Sequence, residues 1–266
     1  GCCECGADVI DLGMAATPTV ARSIARLDAD AGIVVTASHN PPEDNGLKLW
    51  TPSGQAFDTD RRERITEITE TQSFAFAAWD KSGTRRDGDS ADVAHRQAIV
   101  ETVDDETAAA MDGLEAVVDV GNGVGSVTAA ALGELGVDVT TLNAQPDGSF
   151  PGRPSEPTAE TLTALCGQVK RSDADLGIAH DGDADRMVAV DETGRFVPKD
   201  VLLALFSRQA VVRADGGVVA APVDTSQCVD DAIADHGGRL TRTKVGDVFV
   251  AEAATRDVVV FGGEPS

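Results

Sequence analysis

The chain has 266 residues, of which 42% are hydrophobic and 25% charged, a composition typical of a globular protein with room for two or three domains. Its formal net charge of -23 argues against a nucleic-acid partner, because phosphate backbones require basic surface. No segment approaches the roughly 18 consecutive apolar residues of a membrane span. These features predict a soluble cytoplasmic protein with no membrane partner.

The excess acid is scattered along the chain, aspartate outnumbers glutamate, and lysine is scarce. This pattern is typical of halophilic proteins, in which salt screens the repulsion between like charges. Five cysteines, an odd number, do not suggest a disulfide framework in a chain of this size. A zinc site at Cys2, Cys3 and Cys5 would need a further ligand elsewhere, and the single, scattered histidines offer no obvious one.

The first part of the chain alternates predicted strands and helices. Residues 7–13 are predicted to form a strand, a helix follows Thr17, and residues 32–36 form a buried strand. The Asn40-Pro41 pair after that strand predicts a turn that displays Ser38 and His39. A displayed serine beside an imidazole can act as a nucleophile or carry a phosphoryl group, whereas an ordinary Ser-Asn turn is the structural alternative.

A turn at residues 44–46 and a strand at 47–50 come next, and the strand would bring Lys48 near Ser38 if it pairs back along the first. Residues 58–70 are predicted to be helical. The polar segment 81–92 predicts a domain boundary, and residues 93–111 predict one helix.

The middle of the chain contains a predicted strand at 116–120 that opens onto glycines at positions 121, 123 and 125. Their spacing does not match the dinucleotide-binding fingerprint, and a tight turn into a helix at 127–135 is favoured over a phosphate cradle. A strand at 137–142, a loop rich in proline and glycine at 146–157 and a helix at 158–170 are predicted to follow.

The most informative stretch places Asp181, Asp183 and Asp185 at every second position. In extended or loop backbone this spacing sends the three carboxylates to one side, where they repel each other unless a cation lies among them. Such hard oxygen ligands suit Mg²⁺ or Ca²⁺, and Mg²⁺ usually keeps positions open for substrate phosphates. Arg186, with its fork of donors, is suited to hold a phosphate beside the metal.

Two other interpretations of this stretch are an exposed acidic turn and an EF-hand loop. Glu192 lies at position twelve counted from Asp181, as an EF-hand requires, but position six is Arg186 instead of glycine. The flanking residues 174–179 and 187–190 predict strands, whereas an EF-hand is flanked by helices. A metal loop between two strands is the prediction that remains.

The end of the chain adds a predicted helix at 199–212 and strands at 217–222 and 258–261. Short buried strands that open onto small polar residues begin near Ile33, Val117 and Val218, and this recurrence at intervals of roughly a hundred residues suggests repeated α/β domains. We therefore predict an α/β fold with domains at 1–88, 92–193 and 194–266.

Four motifs together carry a family resemblance. In chain order they are Thr36-Ala37-Ser38-His39-Asn40-Pro41, Asn45-Gly46-Leu47-Lys48, Asp181-Gly182-Asp183-Ala184-Asp185-Arg186 and Gly263-Glu264-Pro265-Ser266. In this order they resemble the α-D-phosphohexomutase family, which includes phosphoglucomutases, phosphomannomutases and phosphoglucosamine mutases. The resemblance implies three-layer α/β domains with mixed sheets around a central cleft.

The resemblance also implies roles for individual residues. Ser38 would be a phosphoserine whose phosphate binds Mg²⁺ together with the three aspartates. Lys48 would transfer a proton to and from the sugar hydroxyl, His39 would support the phosphoserine loop, and Arg186 would hold phosphate. The implied substrate-binding residues are Lys244, Gly246, Asp247, Glu264 and Ser266.

The activity implied is the interconversion of hexose 1-phosphates and hexose 6-phosphates of glucose, mannose or glucosamine, through a hexose 1,6-bisphosphate that also serves as activator. Asp247 resembles the residue of phosphoglucosamine mutases and related archaeal enzymes more than the histidine expected in bacterial phosphomannomutases. The family normally adds an arginine-containing N-terminal segment and a fourth domain, so we expect a fragment with weak turnover. A Mg²⁺-dependent sugar-phosphate phosphatase and a noncatalytic metal-binding fragment are the alternatives.

Overall fold

The structure, a computed structural model of the chain, describes residues 1–88 and 90–265. In chain order its elements are a 3-10 turn (Cys2–Cys5), β1 (Val9–Asp11), α1 (Thr17–Arg26), β2 (Gly32–Val35), β3 (Leu47–Trp50), α2 (Thr59–Thr71), β4 (Arg85–Asp87), α3 (Ala91–Glu101), α4 (Asp105–Met111), β5 (Glu115–Asp119), α5 (Ser126–Glu134), β6 (Asp138–Leu142), α6 (Thr163–Ser172), β7 (Leu176–His180), β8 (Met187–Asp191), α7 (Lys199–Arg213), β9 (Gly217–Pro222), α8 (Gln227–Ala234), β10 (Gly238–Thr243), α9 (Asp247–Ala254) and β11 (Val259–Gly262). They form two compact units, one of residues 1–114, 120–156 and 181–185, the other of residues 115–119, 157–180 and 186–265.

The first unit contains two small sheets. β1 and β4 pair in parallel, and β2 and β3 form an antiparallel pair in which Val34 lies opposite Lys48. α1 has a proline in its first turn, where the missing N–H costs nothing, and its Ile24 is buried. The β2–β3 pair therefore fixes both the backbone that leads to Ser38 and the strand position of Lys48.

Two of the helices predicted from the sequence have different bounds in the structure. Residues 93–111 form two helices, because the Asp104 side chain accepts a hydrogen bond from the Thr107 N–H and so starts α4 with its own cap. The helix predicted at 158–170 begins at Thr163, since residues before it form a turn in which the Thr161 hydroxyl accepts from the Thr158 N–H. In both places a side chain competes with the helical hydrogen-bond pattern.

The segment 81–92, predicted as a polar boundary, contains β4. All three residues of β4 are exposed, so the segment lacks the apolar alternation by which a strand is recognised in sequence. The strand forms through backbone pairing with β1, and Arg85 makes an ion pair with Asp11 across the pair.

The second unit contains a mixed sheet in which β5 and β7 are parallel and β7 and β8 are antiparallel. Val117, Val118 and Ala179 are almost completely buried in it. The strands predicted on both sides of the acidic stretch are confirmed as β7 and β8. The acidic loop thus connects two antiparallel neighbours, with no helix on either side.

A parallel sheet of order β10-β9-β11 forms the rest of the second unit. Because successive side chains of a strand point to opposite faces, Ala221 packs against Leu203 and Val229 of α7 and α8, while Ala220 packs against α9. Helices therefore cover both faces of this sheet. The predicted α/β class with mixed sheets is confirmed.

The 3-10 turn at Cys2–Cys5 carries free thiols, two of them exposed. In the part of the chain that the structure describes, no helix combines the length and apolar character needed to cross a bilayer.

Candidate active site

Ser38 lies in a turn directly after β2 and has a φ of 54°, a left-handed conformation that costs a non-glycine residue energy. The turn is held by local hydrogen bonds: the Ser38 N–H donates to the Thr36 hydroxyl at 2.8 Å, and the Asn40 N–H donates to the Ala37 carbonyl at 3.0 Å. The Ser38 hydroxyl donates to Asp181 Oδ2 at 2.6 Å. The structure therefore places the predicted nucleophile in direct contact with the acidic loop.

The acidic loop brings its three carboxylates together as the spacing predicts. One oxygen each from Asp181, Asp183 and Asp185 lies within 4.8 Å of the others. Asp181 and Asp183 are buried, whereas Asp185 is exposed. Such convergence of anions requires positive charge nearby, and Lys48 provides part of it.

Lys48 reaches from β3 to the same loop. Its Nζ donates to Asp183 Oδ2 at 2.8 Å and makes a second ion pair with Asp185. Burial by itself would lower the pKa of Lys48, but the hydrogen bonds and charges of the two aspartates outweigh burial and raise it. Lys48 is therefore a cation at neutral pH.

Asp183 has a hydroxyl partner as well as the lysine. The Thr17 hydroxyl donates to Asp183 Oδ2 at 2.7 Å, and the Thr17 N–H, at the start of α1, donates to the Asp183 carbonyl oxygen at 2.9 Å. Burial would raise the pKa of Asp183, but the hydrogen bonds from Lys48 and Thr17 outweigh it and keep the pKa low. Asp183 is thus an anion held from two directions.

A serine that the sequence analysis did not single out joins the two loops. The buried Ser155 hydroxyl donates to the Ser38 carbonyl oxygen at 2.8 Å and accepts from the Gly182 N–H at 3.0 Å. Any Cβ at position 182 would lie only 2.8 Å from both Ser155 Oγ and the Ser38 carbonyl oxygen, so this position requires glycine. Ser155 therefore fixes the spacing between the serine turn and the acidic loop.

The glycine-rich turn after residue 120 supports the acidic loop from another side. The Val124 N–H donates to the Gly182 carbonyl oxygen at 3.1 Å, and a Cβ at Gly123 would overlap that same oxygen. The tight turn favoured over a phosphate cradle thus has a role at the site, as a backbone platform beneath the acidic loop.

Most of the other predicted substrate residues lie close together in the second unit. The pKa of Glu264 is raised, first by burial and then by the negative charge of Asp247, while the backbone of Gly246 acts to lower it. The charge of Arg186 acts on Glu264 in the opposite sense. Asp224, which the sequence analysis did not assign, adds to the negative charge around Glu264.

The other predicted site residues are Lys244, His39 and Ser266. Lys244 is exposed, and its Nζ lies 5.3 Å from the centre of the Phe249 ring. His39 is partly buried in the turn directly after Ser38. Ser266 lies outside the described residues. The hydroxyls of Ser155 and Thr17 were missed because single serines and threonines in loops and at helix starts carry no signal of a partner more than a hundred positions away.

Comparison with known proteins supports the family resemblance that the ordered motifs indicate. Models of the phosphoglucomutase/phosphomannomutase family match in three consecutive parts: alpha/beta/alpha domain I at residues 1–76, domain II at 94–194 and domain III at 198–266. A protein of Methanopyrus kandleri named probable phosphoglucosamine mutase is 45% identical over 262 residues, which are 98% of this chain and 57% of that protein. One of the same name from Methanothermobacter thermautotrophicus is 45% identical over 267 residues, 100% of this chain and 57% of its own length.

Among solved structures, a phosphoglucomutase/phosphomannomutase family protein from Burkholderia thailandensis superimposes with a TM-score of 0.86 at 28% identity. The match covers 98% of this chain and 57% of that one. The chain therefore spans a little over half the length of the proteins that it resembles. On the strength of three matched domains and the order of its motifs, the chain belongs to the phosphoglucomutase/phosphomannomutase family.

Proposed function

We propose that the protein to which this chain belongs is a phosphohexomutase, which moves a phosphoryl group between the 1- and 6-positions of a hexose through a phosphorylated Ser38. The single observation that carries the proposal is the 2.6 Å hydrogen bond from the Ser38 hydroxyl to Asp181. It joins a nucleophile in a strained turn to a loop of three converging carboxylates.

The acidic loop fits a hard divalent cation, for which Mg²⁺ is our proposal. Asp183 Oδ1 is buried and has no hydrogen-bond partner among the residues that the structure describes, which is costly for a carboxylate oxygen unless a ligand completes it. Asp181, Asp183 and Asp185, together with a phosphate oxygen on Ser38, would hold the ion. When bound, Mg²⁺ would offset the negative charge that otherwise keeps a hydroxyl nucleophile away from the phosphate.

The transfer itself needs little more than positioning and charge. The bond between phosphorus and Ser38 Oγ breaks while a bond between phosphorus and the sugar hydroxyl oxygen forms. The sugar hydroxyl loses one proton and Ser38 Oγ gains one, so the proton count of the site is unchanged. The hexose 1,6-bisphosphate formed then returns its other phosphate to Ser38 by the reverse of these steps.

Lys48 is the proposed group for moving that proton. It makes ion pairs with both Asp183 and Asp185, and its side chain is only 29% exposed. Its raised pKa means that it rests as an ammonium, which can donate a proton to the departing Ser38 oxygen and then accept one from the sugar. His39 is proposed to support the serine turn, and Arg186 to hold a phosphate of the substrate.

The proposed substrate is a glucosamine phosphate. The two archaeal relatives described above are named probable phosphoglucosamine mutases, and both are 45% identical to this chain. Lys244, Gly246, Asp247, Glu264 and Ser266 are the proposed sugar-binding residues. Glu264, with a carboxylate that is partly buried beside Asp247, is suited to accept hydrogen bonds from sugar hydroxyls or from an amino group.

The experiment that tests this function is mass spectrometry of the complete protein after incubation with glucose 1,6-bisphosphate and Mg²⁺. We expect one added phosphate, located on Ser38 by peptide sequencing and removed by subsequent incubation with glucosamine 6-phosphate. Rapid loss of the phosphate to water without sugar would indicate a phosphatase. Absence of phosphate on Ser38 would refute both the mutase and the phosphatase function. The matched control is Ser82→Ala, a change at an exposed serine in a loop.

A further inference from the structure

A cleft in the first unit lies apart from Ser38 and the three aspartates. It has a volume of about 600 Å³ and is lined by α1, by α3 and by the turn after β3. Volumes of this size are typical of sites for small molecules. None of the residues that the motif analysis assigned to the reaction lines it.

One wall of the cleft is cationic. Arg22 and Arg26 are four positions apart on α1, so their side chains lie one above the other on the same face of the helix. Both are exposed, and neither makes an ion pair within the described part of the chain. Both guanidinium groups are therefore available to an anionic ligand.

The opposite wall is polar and carries a negative charge. Gln97 and Glu101, also four positions apart, line it from α3, and Ser53 adds a hydroxyl from the turn. The remaining lining residues are small, and one of them, Ala98, is buried. The cleft therefore offers cations on one side and acceptors of hydrogen bonds on the other.

The walls are held in place by specific contacts. The Thr19 hydroxyl lies 2.7 Å from His95 Nδ1 and links α1 to α3. The turn after β3 approaches α1 through Gly54, which has a φ of 77°, and a Cβ there would lie 2.8 Å from the Ala21 carbonyl oxygen. Glycine is required on both counts, so the shape of the cleft depends on defined backbone positions.

From this arrangement we infer that the cleft is a second ligand site, which binds a small phosphomonoester with its phosphate on Arg22 and Arg26 and its hydroxyl or amino groups against Gln97, Glu101 and Ser53. Arginine pairs suit phosphate because each guanidinium donates two parallel hydrogen bonds to its oxygens. Glu101 on the facing wall disfavours a ligand that is anionic at both ends. The inference does not depend on the proposed mutase activity.

The test is a titration of the ¹⁵N-labelled chain followed by NMR, with inorganic phosphate and then glycerol 3-phosphate as probes and chloride at equal ionic strength as the reference. We expect saturable shifts of the Arg22 and Arg26 side-chain N–H signals and of the Gln97 side-chain amide. Glycerol 3-phosphate should bind more tightly than phosphate, because its hydroxyls reach the facing wall. Equal affinity for the two probes would overturn the phosphomonoester assignment.

The double variant Arg22→Gln/Arg26→Gln should weaken binding at this site about tenfold or more, since two charge-assisted contacts are lost. Arg61→Gln/Arg64→Gln, which makes the same charge change on the exposed helix α2, should leave the affinity within twofold of the parent. All four arginines are exposed, so both variants are expected to fold, and their melting temperatures will verify this. Shifts that grow linearly without saturation, or equal weakening in both double variants, would overturn the inference.

Discussion

The two sets of predicted site residues differ in how firmly each is held before any ligand binds. In the first unit, Ser38 and Asp183 each have several fixed partners, and Ser155 and Thr17 serve mainly to hold them. In the second unit, Lys244 and Asp247 are exposed, and the hydrogen bond that the Asp247 carboxylate accepts, from the Val248 N–H, stays within its own loop. A site for a bare cation must be rigid because its ligands repel each other, whereas a sugar brings its own hydrogen bonds and can order a looser loop.

The change expected to affect function most is Ser38→Ala in the complete protein. If Ser38 carries the phosphoryl group, mutase activity should fall by about a thousandfold or more, because the covalent step is lost. Coupled measurement of glucosamine 6-phosphate formation tests this, with Ser82→Ala as control. Activity within tenfold of the parent would show that the rigid set of residues does not contain the nucleophile.

The rigidity of the first set can be broken through the backbone by Gly123→Ala. The added methyl overlaps the Gly182 carbonyl oxygen, so the acidic loop must move, at a cost of about 3 kcal/mol in the free energy of unfolding. Gly133→Ala is the matched control: position 133 is exposed in α5 with open space around it, and alanine there should stabilise by about 0.5–1 kcal/mol. Urea denaturation measures both, and a Gly123 variant as stable as its parent would contradict the structure.

A smaller loss is expected from Thr17→Val, which keeps the shape of the side chain and removes its hydroxyl. Asp183 then loses one hydrogen bond in a buried place, which should destabilise the chain by about 1–2 kcal/mol. The low pKa of Asp183 should rise in this variant, since Thr17 is one of the groups that lower it. Thr66→Val on the exposed helix α2 serves as control, and equal effects of the two changes would argue against a special role for Thr17.

The looser set of residues is tested by Asp247→Asn. Burial and the charge of Asp247 raise the pKa of Glu264, so the folded chain binds this proton more tightly than the unfolded chain does, and the associated stability is lost as pH rises through that pKa. Removing the negative charge should lower the pKa of Glu264 and shift this loss to lower pH. A ¹³C NMR titration of the Glu264 carboxyl measures this change in pKa. An unchanged titration midpoint would show that the charge of Asp247 does not act on Glu264.

The parts of the site that follow from sequence are those whose signal is local. The every-second-residue spacing of Asp181, Asp183 and Asp185 indicates their convergence, and Asn40-Pro41 indicates the turn that displays Ser38. The strands on both sides of the acidic loop were predictable from their short runs of β-branched residues.

The supporting contacts could not be predicted in this way. Ser155 and Thr17 act through partners more than a hundred positions away, and nothing in their neighbouring residues indicates those partners. Gly123 resembles any turn glycine until the approach of Gly182 is known. β4 was missed because its residues are all exposed, and the helix predicted at 93–111 was wrong because Asp104 caps a second helix.

Binding of Mg²⁺ to the 266-residue chain, followed by isothermal titration calorimetry, tests the central claim most directly. We predict one bound ion per chain, with binding abolished by Asp181→Asn or Asp183→Asn and unchanged by Glu192→Gln, which removes the acid that an EF-hand would require. Equal affinity of the parent and the Asp183→Asn variant would contradict the assignment of the acidic loop as the metal site that faces Ser38.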